Sequence, residues 1–164
     1  MSCFILDNVD SNGVNNFSIL REIIEKDDFK QFLNIYDNII SNFSIYKVNN
    51  PNYNENGNYI KLKIHKSDWF DAYIIFWGPN SLSKIHDHSD NGCLFKVIKG
   101  NLKERIYSKS NLLSFDVINR NCNNIGEIHN SQGYHSMENI SEDNEVAVSV
   151  HFYSPPDYNM NVFN

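Results

Sequence analysis

Residues 59–77, YIKLKIHKSDWFDAYIIFW, contain two successive strand signals that decide the fold class of the chain. Residues 59–65 alternate between apolar and polar side chains, which is the period of a β-strand with one buried face. Residues 70–77 form an apolar run that ends at the turn residues Gly78-Pro79-Asn80, as is typical of a buried strand.

The rest of the chain continues this pattern of short strands separated by turn residues. Gly100-Asn101 is a suitable tight hairpin turn between two of these strands. Many short strands with turn signals between them indicate an antiparallel sandwich or a small barrel. The further predicted strands cover residues 83–88, 93–99, 102–107, 112–118, 126–129, 132–137 and 145–153.

The first third of the chain has a helical period instead. Apolar residues recur at helical spacing over residues 17–24 and again over residues 29–43, and Asp27 and Asp28 can cap the second helix. We therefore predict a single mainly β domain over residues 1–164. In this domain residues 1–48 are a mostly helical front end, and residues 59–156 form a β-barrel that carries the functional site.

Length and charge exclude several classes of protein. The chain has 164 residues, which suits one domain, and 20 acidic against 14 basic residues give a net charge of −6. This acidic balance, without a basic stripe, argues against nucleic acid as the main partner. No apolar run approaches the ~20 residues of a membrane span, and the start MSCFILDNVD lacks the features of a secretion signal. We expect a cytoplasmic monomer with no membrane or nucleic-acid partner.

The three cysteines, Cys3, Cys93 and Cys122, cannot all pair within the chain. In a cytoplasmic protein they indicate free thiols or functional groups and not a disulfide framework. Cys3 and Cys122 belong to no motif, so we interpret both as ordinary thiols. Cys93 is either a small buried apolar residue or a functional group, and the motif around it favours the second interpretation.

The triplet His86-Asp87-His88 suggests a metal site. On a strand the two imidazoles point the same way, and imidazole is a good ligand for iron, zinc, copper or nickel. Such a pair is often incidental, but its surroundings resemble the two cupin motifs, whose histidines bind a metal inside a β-barrel. The usual cupin has a glutamate where this chain has Cys93, which would leave a three-histidine site. The matching positions are Gly78, His86, His88, Cys93 and Gly100, then Gly133, His135 and Asn139.

The last predicted strand has one apolar face and one mixed face. Val146, Val148, Val150 and Phe152 alternate with Ala147, Ser149, His151 and Tyr153. Taken alone, this pattern favours a half-exposed strand with its polar side toward water. Together with the histidine motifs, it favours a strand that lines a pocket.

Several blocks in the same order resemble the cysteine dioxygenase family, from about residue 59 to residue 156. The resemblance implies a cupin fold, and a reaction of cysteine catabolism that adds both atoms of O₂ to the thiol of free L-cysteine, giving cysteine sulfinic acid. The matching blocks are residues 77–78, 85–89, Cys93, 99–104, 138–141 and 149–156.

The same resemblance assigns roles to individual residues. It implies that His86, His88 and His135 bind one Fe²⁺ ion, and that Cys93 forms a thioether with Tyr153. It further implies that Ser149 and His151 position the Tyr153 phenol, and that Tyr59 and Trp77 lie near the pocket. The partners would be a small-molecule thiol and O₂.

The chain departs from the family at the residue that holds the substrate carboxylate. The family has an arginine where this chain has Lys61, with Lys63 on the same strand face, and lysine lacks the planar fork of arginine. Substrate preference therefore stays open: another small thiol such as 3-mercaptopropionate or cysteamine is an alternative, as is a metal-binding cupin without catalysis. We interpret His65 and His129 as surface or strand-edge residues. Few residues follow the last matching block, so a longer C-terminal segment over the pocket is not expected.

Overall fold

The structure is a computed structural model that describes residues 17–26 and 30–164. Three helices precede eleven strands in this part of the chain. The helices are α1 (Phe17–Lys26), α2 (Lys30–Ser41) and α3 (Phe43–Tyr46). The strands are β1 (Tyr53–Asn54), β2 (Tyr59–Lys66), β3 (Asp71–Trp77), β4 (Ile85–His86), β5 (Gly92–Lys99), β6 (Leu102–Tyr107), β7 (Ser114–Arg120), β8 (Ile125–Ile128), β9 (Tyr134–Asn139), β10 (Ala147–Ser154) and β11 (Val162–Phe163).

The helices lie where the helical period predicted them, with one difference. Helix α1 buries its apolar stripe, including Leu20 and Ile24, but the second predicted helix is divided into α2 and α3 at Asn42. The Asn42 amide bonds both the carbonyl and the side chain of Asn38, a local interaction that competes with helix continuation. The predicted caps Asp27 and Asp28 lie outside the described residues. Within residues 17–26 and 30–164, no helix has the length and apolar character needed to cross a bilayer.

The strands form two antiparallel sheets that face each other across a core. The larger sheet has the order β1-β2-β3-β10-β5-β8, and the smaller has the order β11-β4-β9-β6-β7. Strand β10 lies inside the larger sheet, between β3 and β5. Because side chains from both sheets meet between them, the predicted mainly β barrel with a helical front end is confirmed.

Strand β10 separates two apolar cores. Its residues Val148, Val150 and Phe152 pack under the helices, in the same cluster as Leu20 and Ile24. Its other face points into the space between the sheets, and all eight residues of the strand are buried. The half-exposed alternative for this strand is therefore wrong, since helices cover one face and the smaller sheet covers the other.

Several predicted strand boundaries differ from the observed ones. The strand predicted over residues 83–88 shrinks to Ile85–His86, so His88 lies beyond it. The strands predicted to begin at residues 112 and 132 each begin two residues later, at Ser114 and Tyr134. Leu112 and Gly133 have positive φ angles of 55° and 136°, which belong to turns and not to strands.

The predicted hairpin at Gly100-Asn101 is wrong. Gly100 does turn the chain, with a φ of 73°, but β5 and β6 belong to different sheets and do not pair. Strand β5 already lies between β10 and β8, and β6 between β9 and β7. The turn therefore carries the chain from one sheet to the other, and a side chain at Gly100 would collide with Ser141.

Candidate functional site

Three histidines from the smaller sheet and the loop beside it converge on one point. His86 on β4 pairs directly with His135 on β9, and His88 follows two residues after His86. The side chain of Asn130 holds the loop at His88, because its Oδ1 accepts the His88 N–H at 2.8 Å and its amide donates to the His88 carbonyl. One ring nitrogen from each histidine lies within 4.8 Å of the other two, and all three residues are buried.

The hydrogen bonds of these histidines determine which ring nitrogens carry lone pairs. His86 Nδ1–H donates to the Lys84 carbonyl at 2.8 Å, and His135 Nδ1–H donates to Glu104 Oε1 at 2.8 Å. In a neutral imidazole the other nitrogen is then an acceptor. The Nε2 atoms of His86 and His135 face each other at 3.0 Å, so two neutral rings would direct both lone pairs to one point.

His88 adds a third buried donor atom to this cluster. Neither of its ring nitrogens has a hydrogen-bond partner among the described residues, although both are buried. Burial is the main cause that lowers the pKa values of His86 and His88, and the neighbouring His135 ring lowers them further. Three imidazoles whose ring nitrogens converge fit a divalent cation such as Fe²⁺ or Zn²⁺.

Glu104 and Arg120 support His135 from behind. Glu104 Oε2 accepts from Arg120 Nε at 2.9 Å and Nη2 at 2.7 Å, while Oε1 bonds His135. Burial raises the pKa of the Glu104 carboxyl, but the hydrogen bond and charge of His135, followed by Arg120, outweigh burial and hold the pKa below its usual value. An ionised carboxylate behind an imidazole fixes the ring and makes it a better metal ligand.

The opposite wall of the site is set by the register of the larger sheet. Tyr153 on β10 is the direct cross-strand neighbour of Cys93 on β5, and the phenol and the thiol influence each other's pKa. Burial raises the pKa of the Cys93 thiol to about 12 and also raises the pKa of Tyr153 well above its usual value. At neutral pH the pair is therefore a thiol beside a phenol, with neither group ionised.

A line of hydrogen bonds runs along β10 toward this pair. The Trp77 indole N–H donates to Ser149 Oγ at 2.8 Å, and Ser149 Oγ lies 2.8 Å from His151 Nε2. The other ring nitrogen of His151, Nδ1, lies 3.8 Å from Cys93 Sγ. The structure thus brings together Ser149, His151 and Tyr153 as the resemblance implied, but His151 reaches the thiol and not the phenol.

A small cavity of about 20 Å³ lies between the two walls. Tyr59 and Trp77 line it with their rings in contact, at a centroid distance of 5.1 Å. Lys61 also lines it, and its Nζ lies over the ring of Tyr153 at 4.5 Å and over the ring of Tyr73 at 4.4 Å. Burial lowers the pKa of Lys61 to about 8.

Lys63 points away from this cavity. Its Nζ bonds Asp71 Oδ2 at 2.9 Å, near the surface. Of the two lysines that stand near the position of the family's arginine, Lys61 is therefore the one in the cavity.

Residues 13–164 match the family of cysteine dioxygenase type I. The chain belongs to this family. Among curated relatives, cysteine dioxygenase type 1 of Rattus norvegicus is 39% identical and that of Homo sapiens 38% identical, each over 92 residues. Each match covers 53% of this chain and 46% of the relative, so the chain spans about half the length of the curated relatives it matches.

Solved structures with low sequence identity share the fold. An oxalate decarboxylase of Lactobacillus farciminis, in a formate complex, has a TM-score of 0.56 at 18% identity, covering 70% of this chain and 33% of that chain. A Klebsiella pneumoniae protein with a double-stranded β-helix domain has a TM-score of 0.53 at 14% identity, covering 68% of this chain and 89% of that chain. The cupin fold predicted for this cysteine dioxygenase family member is therefore confirmed, as is its family.

The C-terminal residues cover part of the cavity. Asp87 accepts hydrogen bonds from the Tyr158 hydroxyl, from the Asn161 backbone N–H at 2.8 Å and from the Asn161 amide at 2.7 Å. Strand β11 pairs with β4, and Met160 lines the cavity. The short tail that follows the last matching block therefore closes one side of the pocket, which the sequence analysis did not predict.

Other histidines and cysteines lie apart from the three-histidine cluster. His65 stacks on Phe70 at a centroid distance of 5.2 Å, and His129 Nε2 bonds Glu127 Oε1 at 2.8 Å. Cys122 is an exposed free thiol, and Cys3 lies outside the described residues. These placements agree with the surface or strand-edge interpretation of both histidines.

The sequence analysis missed two features that organise the site. One is the Glu104–Arg120 ion pair, and the other is the Asn130 side chain. Glu104 occupies a position of β6 whose side chain points to the interior, next to Leu102 and Ile106 on the same face. An acidic residue on the buried face of an alternating strand was the available signal for it. Asn130 carried no signal in a chain so rich in asparagine.

We expect Glu104→Gln to weaken metal binding, because the glutamine anchors His135 without a negative charge. The affinity for Co²⁺ should fall by about 10- to 100-fold. Arg120 would lose its buried partner, so the free energy of unfolding should fall by about 3–5 kcal/mol. Anaerobic calorimetric titration and urea denaturation measure the two effects.

Glu138→Gln is the matched control, because Glu138 pairs with Arg105 at a partly exposed position on the neighbouring strand. It should change stability by about 1 kcal/mol or less and leave the Co²⁺ affinity unaltered. A wild-type Co²⁺ affinity in folded Glu104→Gln would contradict the supporting role of Glu104.

Proposed function

We propose that this chain is an iron-dependent thiol dioxygenase that converts free L-cysteine and O₂ into cysteine sulfinic acid. One observation carries the proposal. The imidazoles of His86, His88 and His135 converge on one point, and His86 lines a cavity whose wall also includes Tyr153, the cross-strand neighbour of Cys93. Membership of the cysteine dioxygenase type I family supports the same conclusion.

The donor set suits a ferrous ion that meets an anionic thiol. His86, His88 and His135 would hold the ion, and because an imidazole ligand carries no negative charge they would leave its positive charge uncompensated. Iron would supply the one-electron and O₂ chemistry that no amino-acid side chain provides. The overall reaction, RSH + O₂ → RSO₂H, keeps every atom of both reactants in the product.

The remaining cavity residues would bind and orient the substrate. The Lys61 ammonium offers a positive charge to the substrate carboxylate on the side away from the histidines. Tyr153, whose raised pKa keeps it a phenol, can donate its O–H to a developing negative charge beside it. The Trp77–Ser149–His151 hydrogen bonds fix the imidazole against Cys93, so this wall keeps its shape when the substrate enters.

Oxygen uptake tests the proposal directly. Protein purified without oxygen and loaded with Fe²⁺ should consume one O₂ per cysteine and form the sulfinate, measured with an oxygen electrode and by mass spectrometry. His135→Ala should abolish both metal binding and uptake. The control His129→Ala should keep both, because His129 lies outside the three-histidine cluster.

Two results of this experiment separate the alternatives. Oxygen uptake with other small thiols but not with cysteine would indicate a dioxygenase whose substrate is one of those thiols. Stoichiometric zinc in the purified protein, with no uptake for any small thiol after reconstitution with iron, would indicate a metal-binding cupin without catalysis.

We further propose that Cys93 and Tyr153 form a thioether during turnover. The Tyr153 hydroxyl contacts the sulfur, so the ring carbon beside the hydroxyl is the position the sulfur would attack. A new C–S bond replaces one S–H and one ring C–H, and O₂ takes up the two electrons and two protons released. The intact mass should therefore fall by ~2 Da after aerobic turnover with Fe²⁺ and cysteine.

Cysteine variants locate the mass change. Cys93→Ser should abolish the loss of mass, and Cys122→Ser should keep it, because Cys122 is exposed and outside the cavity. A loss that persists in Cys93→Ser would contradict the assignment.

The pH dependence of kcat/KM tests whether Lys61 binds the substrate carboxylate. The pKa of Lys61 is about 8, and only its protonated form attracts a carboxylate, so carboxylate binding should be lost as the pH rises through 8. The ratio of kcat/KM for cysteine to kcat/KM for cysteamine should then fall about tenfold between pH 7 and 9. Cysteamine shares the thiol and the amine of cysteine but has no carboxylate. The ratio therefore removes most of the effect of thiol ionisation and keeps the effect of the carboxylate.

Two substitutions at Lys61 serve as controls for this profile. In Lys61→Met the ratio should be low and flat across pH, because the charge is absent. In Lys61→Arg it should stay high and flat, because a guanidinium does not deprotonate in this range. Equal rates for cysteine and cysteamine at all pH values would show that Lys61 does not recognise the carboxylate.

A further inference from the structure

A second, outer chamber adjoins the cavity that carries the histidines. It has a volume of about 20 Å³ and shares Lys61, Tyr153 and Met160 with the inner cavity. These three side chains therefore form the partition between the two spaces. The outer chamber is completed by Asp71, Tyr73 and Tyr158.

Asp71 lines this chamber and has a buried carboxylate oxygen that lacks a hydrogen-bond donor within the described part of the chain. It begins β3 and is the cross-strand neighbour of Tyr153, on the side opposite to Cys93. It is 1% exposed, and its Oδ2 accepts from Lys63 Nζ at 2.9 Å and from the Asp157 backbone N–H at 2.8 Å. Its Oδ1 is buried and has no hydrogen-bond partner among the described residues, which is a costly state for a carboxylate oxygen.

In the same chamber, the Lys61 ammonium lacks a hydrogen-bond acceptor within residues 17–26 and 30–164. Its ammonium lies between the ring faces of Tyr73 and Tyr153, and it has no hydrogen-bond acceptor among the residues that the structure describes. An ammonium carries three N–H donors, and a lysine stem is flexible. One chamber thus contains a cation that lacks an acceptor and a carboxylate oxygen that lacks a donor.

The other titratable groups around Lys61 do not supply a formal negative charge at neutral pH. Cys93, Tyr153 and Tyr158 have raised pKa values, and His86 and His151 have lowered ones, with burial as the first cause in each case. The remaining groups near it on β2 and β3 are Tyr59, whose pKa burial also raises, Lys63, Tyr73 and Asp71.

Asp71 is therefore the acidic residue that lines the outer chamber together with Lys61. Burial lowers the pKa of Lys61, and Lys63 lowers it further, whereas Cys93 and Asp71 act in the opposite direction.

We propose that Asp71 is a positioning residue that keeps the Lys61 ammonium charged and at the partition, and that it thereby selects thiols bearing a carboxylate. The inference rests on the proposed thiol dioxygenase function, within which it names the residue that controls substrate class. In the proposed arrangement the flexible Lys61 stem would bring one N–H to the unpartnered Asp71 Oδ1, directly or through one water, and leave another N–H to face the inner cavity. Lys63 and the Asp157 N–H offset the charge of Asp71, so its repulsion of a substrate carboxylate is the weaker effect.

Two measurements on Asp71→Asn test the proposal. In protein labelled with ¹³C-lysine, the Lys61 Cε resonance should titrate near pH 8 in the wild type and about one unit lower in the variant. At pH 8 the ratio of kcat/KM for 3-mercaptopropionate to kcat/KM for cysteamine should fall about fivefold, since about fivefold less Lys61 is protonated.

Asp157→Asn is the matched control. Asp157 is exposed, and its side chain pairs with Lys66, while its backbone N–H would still bond Asp71. It should leave the Lys61 titration and the substrate ratio at wild-type values.

Asp71→Asn should fold, because asparagine is isosteric with aspartate and its oxygen can accept the same N–H. Asp71→Ser is the second variant, and whichever of the two retains the wild-type circular dichroism decides the result.

Each outcome is decisive. An unchanged Lys61 titration, an unchanged or raised substrate ratio, or an equal fall in kcat/KM for both thiols would overturn the proposal. If the wild type oxidises no thiol at all, the proposed function fails and the substrate-selection part of the inference fails with it. The lysine titration, which needs neither iron nor turnover, then decides whether Asp71 controls Lys61.

Discussion

The register of β10 against β3 and β5 is the constraint on which the site depends. Alternation along β10 directs Ser149, His151 and Tyr153 between the sheets and directs the apolar residues between them under the helices. A slip of one residue would exchange the two faces and place a serine, an imidazole and a phenol in an apolar core without partners. The same register sets Tyr153 between Asp71 and Cys93, so one pairing arranges an acid, a phenol and a thiol in a row.

Burial determines the charge state of nearly every group in the cavity. It keeps Cys93 and Tyr153 protonated and it keeps the imidazoles of His86 and His88 neutral. The facing Nε2 atoms of His86 and His135 lie 3.0 Å apart, close enough for one cation to be shared between them. Under the proposed function, a bound divalent ion and the Lys61 ammonium would both make the cavity positive, which would suit an anionic thiol with a carboxylate.

The parts that could be predicted from sequence depend on local periodicity or on motif spacing. Period-two alternation placed β2 and both faces of β10, and the resemblance to the two cupin motifs singled out the three histidines that the structure brings together. The support of His135 by Glu104 could not be predicted, because it depends on the pairing of β6 with β9, a long-range contact. The Gly100 turn was misread for a similar reason: turn residues show where a chain reverses, not which sheet the next strand joins.

The His86-Asp87-His88 triplet connects the metal ligands to the cavity wall. The two imidazoles point inward and Asp87 points outward, where it binds Tyr158 and Asn161 of the C-terminal residues. Met160, which lies between these two residues in the sequence, lines both chambers. A metal ion that fixes the imidazoles would also fix the backbone of Asp87, and with it the attachment of the tail. A single three-residue segment therefore carries two of the clustered imidazoles and the attachment of the C-terminal residues.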